Sequence, residues 1–360
     1  MEIVVKSSPV AGAFTGKKVF VTGHTGFKGS WLSAMLHLMG AEVYGYALAP
    51  EHEGGLYDFL PASTFNGEEI ADIRNSKRLM QKMLEFNPDF IFHLAAQPLV
   101  LRSYREPAYT FEVNVMGTVH VLEALRGLSK DCTCIVITTD KVYQNQERNY
   151  YYAEGDTLGG YDPYSASKAS AELVAGAYGN AYLGEKHAQE YRKILATARA
   201  GNVIGGGDWS EFRILPDIIR SIERGEELNV RNPNAVRPWQ HVLEPVWGYL
   251  CLAAYMQKSG QPQTTAFNFG PEADDHLTVK ELVESAIASY GSGKWTSGAA
   301  DPGMHEAGLL QLNVDKARMV LGWQPRLRAQ QAVQWSVEWY KQPASEKWQF
   351  TRQQILKYLS

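Results

Sequence analysis

Lys17-Lys18-Val19-Phe20-Val21-Thr22-Gly23-His24-Thr25-Gly26-Phe27-Lys28-Gly29 is the stretch on which the fold turns. Lys17 to Val21 reads as a compact apolar strand and Thr22 to Gly29 as a glycine turn. Trp31 to Met39 then carries the apolar spacing of a helix, which Gly40 ends in the usual C-terminal glycine position. Strand, glycine turn and helix together make the context in which backbone N–H groups cradle a phosphate. The glycines have separable tasks: a tight turn, close approach of the main chain to a pyrophosphate, and close helix–strand packing. Their spacing is G-x-x-G-x-x-G rather than G-x-G-x-x-G. Gly23, His24, Thr25, Gly26, Phe27, Lys28 and Gly29 are therefore the first candidates for holding a dinucleotide.

Outward from this stretch, strands and helices alternate. Met1 to Gly16 reads as an irregular lead-in, since Pro9 and two glycines oppose regular structure. Ala41 to Leu48 is a second strand, and Phe90 to Ala96 a fourth that runs into small residues where a ligand can lie against the backbone. Within it His93 is either a polar contact or a satisfied structural histidine. Asp72-Ile73 follows a third apolar-edged segment and is placed to frame an adenine. Pro107 to Leu128 reads as one long amphipathic helix, in which Asn114 predicts a local distortion by bonding a backbone carbonyl. Ile135 to Thr138 and Ile194 to Ala198 are the fifth and sixth strands, with a helix from Asp162 to Tyr182 between them. This order predicts an α/β fold, a doubly wound parallel sheet of the Rossmann type. Beyond about residue 200 the elements shorten and Pro and Trp become more frequent, which predicts a smaller α+β C-terminal substrate-binding lobe containing Arg213–Arg224, Val230–His241 and Ala266–Gly270. The expected division is 1–200 for the cofactor, with a return of about 235–258, and 201–360 mainly for substrate.

Composition narrows the function classes. A chain of 360 residues with 45% apolar and 21% charged residues and a net charge of −4 is neither disordered nor built for nucleic acid. Cys132, Cys134 and Cys251 lack the paired spacing of a metal site and read as small core residues, so no metal is expected. No apolar run reaches the ~18 residues of a membrane span, and the first 15 residues lack a signal-peptide core, so a cytoplasmic protein is expected. Between Lys28 and Arg74 there is no Lys or Arg, while Glu42, Glu51, Glu53, Asp58, Glu68, Glu69 and Asp72 are acidic. A 2′-phosphate finds no cation there, which favours NAD over NADP.

The chemistry concentrates at the end of the fifth strand. Thr139, Asp140 and Lys141 bring a hydroxyl, a carboxylate and an amine, and Tyr164 and Lys168 share one helix face because i and i+4 side chains stack. Lys168 is expected to lower the phenol from its usual pKa of about 10 and so make it a base. Arg199, Arg213, Arg231 and Arg237 are either solvated or able to clamp a second diphosphate.

Thr22-Gly23-x-x-Gly26-Phe27-x-Gly29, Asp72-Ile73, His93-Leu94-Ala95-Ala96, Asn114-Val115-x-Gly117-Thr118, Tyr164-x-x-x-Lys168 and Arg199-x-Gly201-Asn202-Val203 resemble, in order and spacing, the extended short-chain dehydrogenase/reductase superfamily. Within it the chain is similar to the nucleotide-sugar 4,6-dehydratases, most closely those acting on CDP-glucose. The similar segments include Thr139-Asp140-Lys141, Gly159-Gly160-Tyr161-Asp162-Pro163-Tyr164, Gly205-Gly206-Gly207-Asp208-Trp209, Arg237-Pro238-Trp239-Gln240-His241-Val242 and His305-Glu306. The resemblance implies an enzyme that turns CDP-D-glucose into CDP-4-keto-6-deoxy-D-glucose for deoxysugar and lipopolysaccharide synthesis, with NAD reduced and reoxidised in each turnover. Tyr164 would be the base at the 4-hydroxyl, with Thr139 hydrogen-bonding the same oxygen; Asp140 would be the acid at C6 and Lys141 the base at C5, or the two would act as one coupled pair. Leu94, Ala95, Ala96, Thr138, Tyr164 and Lys168 would join the glycine loop, Asp72 and Ile73 on NAD. Gln97, Asn202, Arg213, Arg237 and His305 would meet the nucleotide sugar. A homodimer formed through the two long helices is implied as the minimum assembly. The alternatives are a nucleotide-sugar 4-epimerase, which needs no acid and base for water loss, a dehydratase for another nucleotide-linked hexose, and a non-catalytic NAD sensor.

Overall fold

Successive residues of a strand point to opposite faces of a sheet, and here both faces are apolar. In β1 (Lys18–Thr22) Val19 and Val21 enter one buried cluster and Phe20 enters another. The same division runs through β4 (Phe90–His93), where Phe90 and Phe92 oppose Ile91, and β5 (Cys132–Ile137), where Ile135 and Ile137 oppose Cys134 and Val136. A sheet apolar on both sides needs helices on both sides, which parallel crossover connections provide. The computed structural model describes residues 9–183, 191–260, 265–298 and 309–360.

β2 (Glu42–Ala47), β3 (Gly67–Ile70), β6 (Lys193–Ala200) and β7 (Thr265–Phe269) complete a sheet in the order β7-β6-β5-β4-β1-β2-β3. Every pairing in it is parallel. The chain reverses its direction of progress between β1 and β4, and the crevice at the carboxyl ends of those strands is where doubly wound sheets take ligands. On one face lie α2 (Ser76–Phe86), α3 (Gly117–Arg126) and α4 (Pro163–Tyr178). On the other lie α1 (Phe27–Leu38) and the almost wholly buried α6 (Leu243–Ser259). Each large apolar side chain buried between these layers contributes roughly 1.5–3 kcal/mol.

Three elements differ from expectation. The lead-in forms one helical turn, Pro9–Gly12, held by Phe14, whose ring lies 4.7 Å from that of Phe90. The helix expected from Pro107 to Leu128 breaks into Pro107–Phe111, a π-turn at Glu112–Met116, and α3. Asn114 sits in that turn, as a distortion requires, but its carboxamide bonds the backbone N–H and C=O of Gln97 and the hydroxyl of Ser167 rather than its own helix. Ala266–Gly270, expected in the cap, supplies β7, because Phe267 and Phe269 complete the apolar layer beside β6.

The C-terminal lobe is built from α5 (Ile214–Arg224), a parallel pair Glu227–Val230 with Lys294–Ser297, and the helices Val279–Tyr290 and Ala329–Tyr340. Two buried polar contacts lock it to the sheet. Trp31 of α1 donates to the carbonyl of Gly206 at 2.9 Å. Glu244, in the first turn of α6, accepts from the N–H groups of Arg326 and Leu327 (2.9 and 2.7 Å) and from the Tyr358 hydroxyl (2.7 Å). Burial lifts the pKa of Glu244 to about 7.

Candidate active site

The glycine turn after β1 is shaped by what a side chain would strike. Gly23 has φ of 77°, and a Cβ there would stand 2.7 Å from the backbone nitrogen of Ala95 on the neighbouring strand end. A Cβ on Gly29 would fall 2.0 Å from the Gly23 carbonyl oxygen, so that glycine lets α1 close on the turn. Gly26 is the N-cap of α1 and offers no side-chain acceptor. The first N–H groups of α1 and its positive end are thus left for an anion. This cradle fits the pyrophosphate of a dinucleotide.

The other residues expected on the cofactor divide into two groups. Half-buried Leu94, Ala95 and Ala96 edge the crevice after β4. His24 is wholly buried: its Nε2 lies 3.1 Å from Glu68 Oε2 and its ring sits edge-on to Tyr57 and Phe65, so only its backbone can meet a ligand. Thr25 donates to the Leu48 carbonyl, and Lys28 reaches down into the catalytic cleft, where burial lowers its pKa to about 7. His93 is structural, with Nδ1 2.8 Å from the Thr22 hydroxyl and Nε2 3.1 Å from that of Thr118. Burial depresses its pKa to about 3. The Asp72 carboxylate is held by Arg74, which also reaches Glu112, and Ile73 packs beneath Gly117.

At the end of β5 the chain turns through one 3-10 turn, Asp140–Val142, which Thr139 caps. The Thr139 hydroxyl donates to Asp140 Oδ1 at 2.9 Å and neighbours the Tyr164 phenol. Lys141 Nζ lies 3.5 Å from the same Asp140 oxygen; Asp140 is buried, whereas 30% of the Lys141 side chain is exposed. Asp162 caps α4 and so places Tyr164 in its first turn, facing the strand end. Lys168 follows one turn later but donates to the Ile137 carbonyl at 2.8 Å. The expected lowering of the phenol by Lys168 is not what the structure gives. Burial pushes Tyr164 up to about 12, with Thr139 pulling against it, and Lys168 is itself lowered to about 8 by burial.

Beneath this set lies a network the sequence reading missed. Glu172, one turn beyond Lys168, accepts from Thr138 and Thr197 (2.5 and 2.6 Å) and takes both arms of Arg199 (3.0 and 2.9 Å). Arg199 continues to Tyr143, and Tyr143 donates to Asn268 of β7. Arg199 and Glu172 are both buried, so Arg199 is no diphosphate clamp. An acid at i+4 from Lys168, on a helix face otherwise apolar, was the available signal. Thr138 is likewise held by Glu172.

The reactive set opens into a cleft of about 1070 Å³ between sheet and lobe. Asn202, Arg213, Arg231 and Arg237 line it. Asn202 takes a left-handed conformation, φ 49°, and Arg213 is paired with buried Asp208 at 3.0 Å. Gln97 does not line it: its side chain is buried and bonded to Leu99 and Thr110. His305 lies outside the described residues.

A family model for GDP-mannose 4,6 dehydratase matches residues 20–335. CDP-glucose 4,6-dehydratase of Salmonella typhimurium is 44% identical over 328 residues, 91% of each chain. Among solved structures, dTDP-glucose 4,6-dehydratase DesIV of Streptomyces venezuelae, with NAD and TYD bound, superposes with a TM-score of 0.76 at 24% identity over 90% of this chain and 97% of that one. The epimerase Mth375 of Methanothermobacter thermautotrophicus gives 0.80 at 20% identity over 97% and 98%. The structural likenesses carry the fold, and the sequence matches carry the family. On both the model match and the 44% relative, the chain belongs to the GDP-mannose 4,6 dehydratase family of nucleotide-sugar enzymes.

Proposed function

We propose that this enzyme removes water from CDP-D-glucose to give CDP-4-keto-6-deoxy-D-glucose, a precursor of the deoxysugars of lipopolysaccharide, using NAD held by the sheet. The observation that carries the proposal is the convergence of Thr139, Asp140, Lys141 and Tyr164 on one cleft that also reaches Arg213 and Arg237. An epimerase needs Thr139 and Tyr164 but has no use for a buried carboxyl and an amine beside them. The 44% identity to a CDP-glucose enzyme supports cytosine as the base.

The glycine turn and the N-terminus of α1 would hold the NAD pyrophosphate, with Leu94, Ala95, Ala96 and Thr138 along the crevice. Bound NAD supplies a hydride acceptor for C4 and, once reduced, a hydride donor for C6. With the positive charge of bound NAD offsetting the burial that raises it, Tyr164 would take the proton of the sugar 4-hydroxyl, which Thr139 holds in line by hydrogen bonding. Lys168, fixed on the Ile137 carbonyl, keeps a cation against the rear of that site. A ketone at C4 acidifies the C5 hydrogen. Lys141, in its neutral form and reached from the cleft, would take that proton while Asp140 gives its own to the 6-hydroxyl, which leaves as water. Lys141 then returns its proton to C5. Tyr164 has gained one proton and Asp140 has lost one, and the Thr139 hydroxyl, bonded to Asp140 and beside Tyr164, would join donor to acceptor for the reset.

Arg213 and Arg237 would bind the substrate diphosphate. The sheet with β7 would carry the cofactor and the lobe the nucleotide sugar. The chain would pair as a homodimer through α4 and the segment from Pro107 to Arg126, which together expose Phe111, Met116 and Leu173. Among the described residues no helix is long and apolar enough to cross a membrane, and the enzyme would work in the cytoplasm beside its NAD pool, which cell fractionation tests. Incubation with CDP-, dTDP-, UDP- and GDP-linked hexoses, following the alkaline absorbance of the 4-keto product, tests the whole reading. CDP-glucose should be turned over best. A preference for another nucleotide rejects the base assignment, and interconversion of 4-epimers without keto product rejects dehydration.

A further inference from the structure

A second, smaller pocket, open to solvent and about 20 Å³ in volume, shares Asp140 and Gly201 with the cleft. That is room for one water, which needs at least ~10–15 Å³ and two to four polar partners. Asp140, Gly201, Gln240 and Gln311 are among its walls. Gly201 is what lets the carboxyl reach it: a Cβ there would lie 2.0 Å from Asp140 Oδ2. Asp140 Oδ1 is turned instead to Thr139 and Lys141.

Gln240 and Gln311 are each less than a tenth exposed, and the Oε1 atom of each is buried without a hydrogen-bond partner. Their amide orientations are fixed by their neighbours. Gln240 Nε2 donates to two carbonyls, those of Gly201 (3.1 Å) and Phe269 (3.0 Å). The Tyr151 hydroxyl donates to the Ala273 carbonyl, so it accepts from Gln311 Nε2 at 3.1 Å. In both side chains the nitrogen is committed and the oxygen is the free atom. A buried acceptor left unsatisfied is costly, and two of them on side chains that line one water-sized pocket call for a shared donor. The two carboxylates on the same wall are engaged elsewhere, Glu272 with Arg318 and Asp275 with the Ala329 N–H, and His276 also lines it.

We propose that this cavity holds one structural water, which donates its two hydrogens to Gln240 Oε1 and Gln311 Oε1 and accepts a hydrogen from the carboxyl of Asp140. A water with both hydrogens so committed has only lone pairs left, and a carboxyl can meet a lone pair only as a donor, in its acid form. Gln240 and Gln311 are then positioning residues that favour the protonated Asp140, whose carboxyl turns from this water to present its proton to the 6-hydroxyl. The inference rests on Asp140 being the acid of dehydration. The groups that face Asp140 from the cleft, Lys28, Lys141 and Tyr164, and His276 from the cavity side, set the background against which this water acts.

Gln311→Leu removes one acceptor at nearly constant volume, and Gln311→Glu keeps an oxygen in its place. In Gln311→Leu the transient absorbance of reduced cofactor should match the unmodified enzyme, while water loss slows about tenfold, the effect of one hydrogen bond. The alkaline fall of the dehydration rate should move to lower pH, and Gln311→Glu should restore most of the rate. An unchanged dehydration rate and pH limb in Gln311→Leu overturns the water site, as does an equal loss in both half-reactions or in both variants. Asp140→Asn separates the two levels: normal dehydration in that variant overturns the acid assignment itself. A high-resolution crystal structure of the unmodified enzyme decides independently of how the variants fold. Density about 3 Å from both Oε1 atoms supports the site, and an empty cavity overturns it.

Discussion

Asp140 and Lys141 are neighbours in sequence but not in environment. The 3-10 turn that begins at Asp140 sends the carboxyl inward against Gly201 and leaves the Lys141 amine at the cleft, 3.5 Å from it. A group that must take and return a carbon-bound proton needs that access, whereas an acid benefits from exclusion of water. Lys141→Ala should therefore leave the oxidation half-reaction intact and slow exchange of the C5 hydrogen with solvent by about 10²–10⁴-fold. NMR of substrate incubated in deuterated water measures that exchange, and a rate equal to that of the unmodified enzyme removes Lys141 as the base. The residue types of the site were legible in the sequence because strand end and helix face are short-range patterns. Their electrostatics were not. The i+4 spacing of Tyr164 and Lys168 predicts a lowered phenol, yet burial of both groups dominates, and a carbonyl three residues before Asp140 captures the amine.

Among the elements, β1, the glycine turn and α1 declared themselves because each depends on local sequence: strand period, glycine spacing, helical period. β7 did not, since Thr265–Phe269 is short and its place beside β6 is settled only by the apolar layer it completes. Glu172 was hidden for a related reason. A carboxylate inside a helix reads as solvated until Thr138, Thr197 and Arg199 are seen to surround it. The π-turn at Glu112–Met116 was half legible: Asn114 announced a distortion, while its partner Gln97 comes from another element. The same two helical segments leave Leu173 63% exposed and Met116 45% exposed. Apolar surface on adjacent elements is the mark of an interface. In the proposed homodimer Leu173→Glu places a charge on this face and should leave only monomer in sedimentation at micromolar concentration. A dimer unaffected by that change excludes this face.

At the scale of the whole molecule, burying so much of the chain leaves titratable groups in places where their charged forms are disfavoured. His93 in the sheet and His241 behind it, edge-on to Trp31 and Trp335, are depressed by burial from 6.5 to about 3. As pH falls below 6.5 the unfolded chain takes up these two protons and the folded chain does not. The stability they contribute is present above 6.5 and is lost on the way to about 3. Glu244 acts in the opposite sense, because burial raises it from 4.5 to about 7 and the folded chain binds its proton first. Its contribution is complete below 4.5 and is lost as pH rises through 7. Between 6.5 and 4.5 these three groups leave a net single proton, a share of about 1.4 kcal/mol per pH unit in the fall of stability, to which His24 and His37, also lowered by burial, add. Below 4.5 the carboxyl no longer offsets them, that share doubles to about 2.7 kcal/mol per unit, and ion-paired acids such as Asp72, whose carboxyl is lowered by Arg74, add to it. Urea unfolding from pH 7 to pH 4 should show this break. His241→Leu should make the upper segment shallower by about 1.4 kcal/mol per pH unit, the share of one histidine; a variant that keeps the original slope there would show that this imidazole is not held neutral by the core.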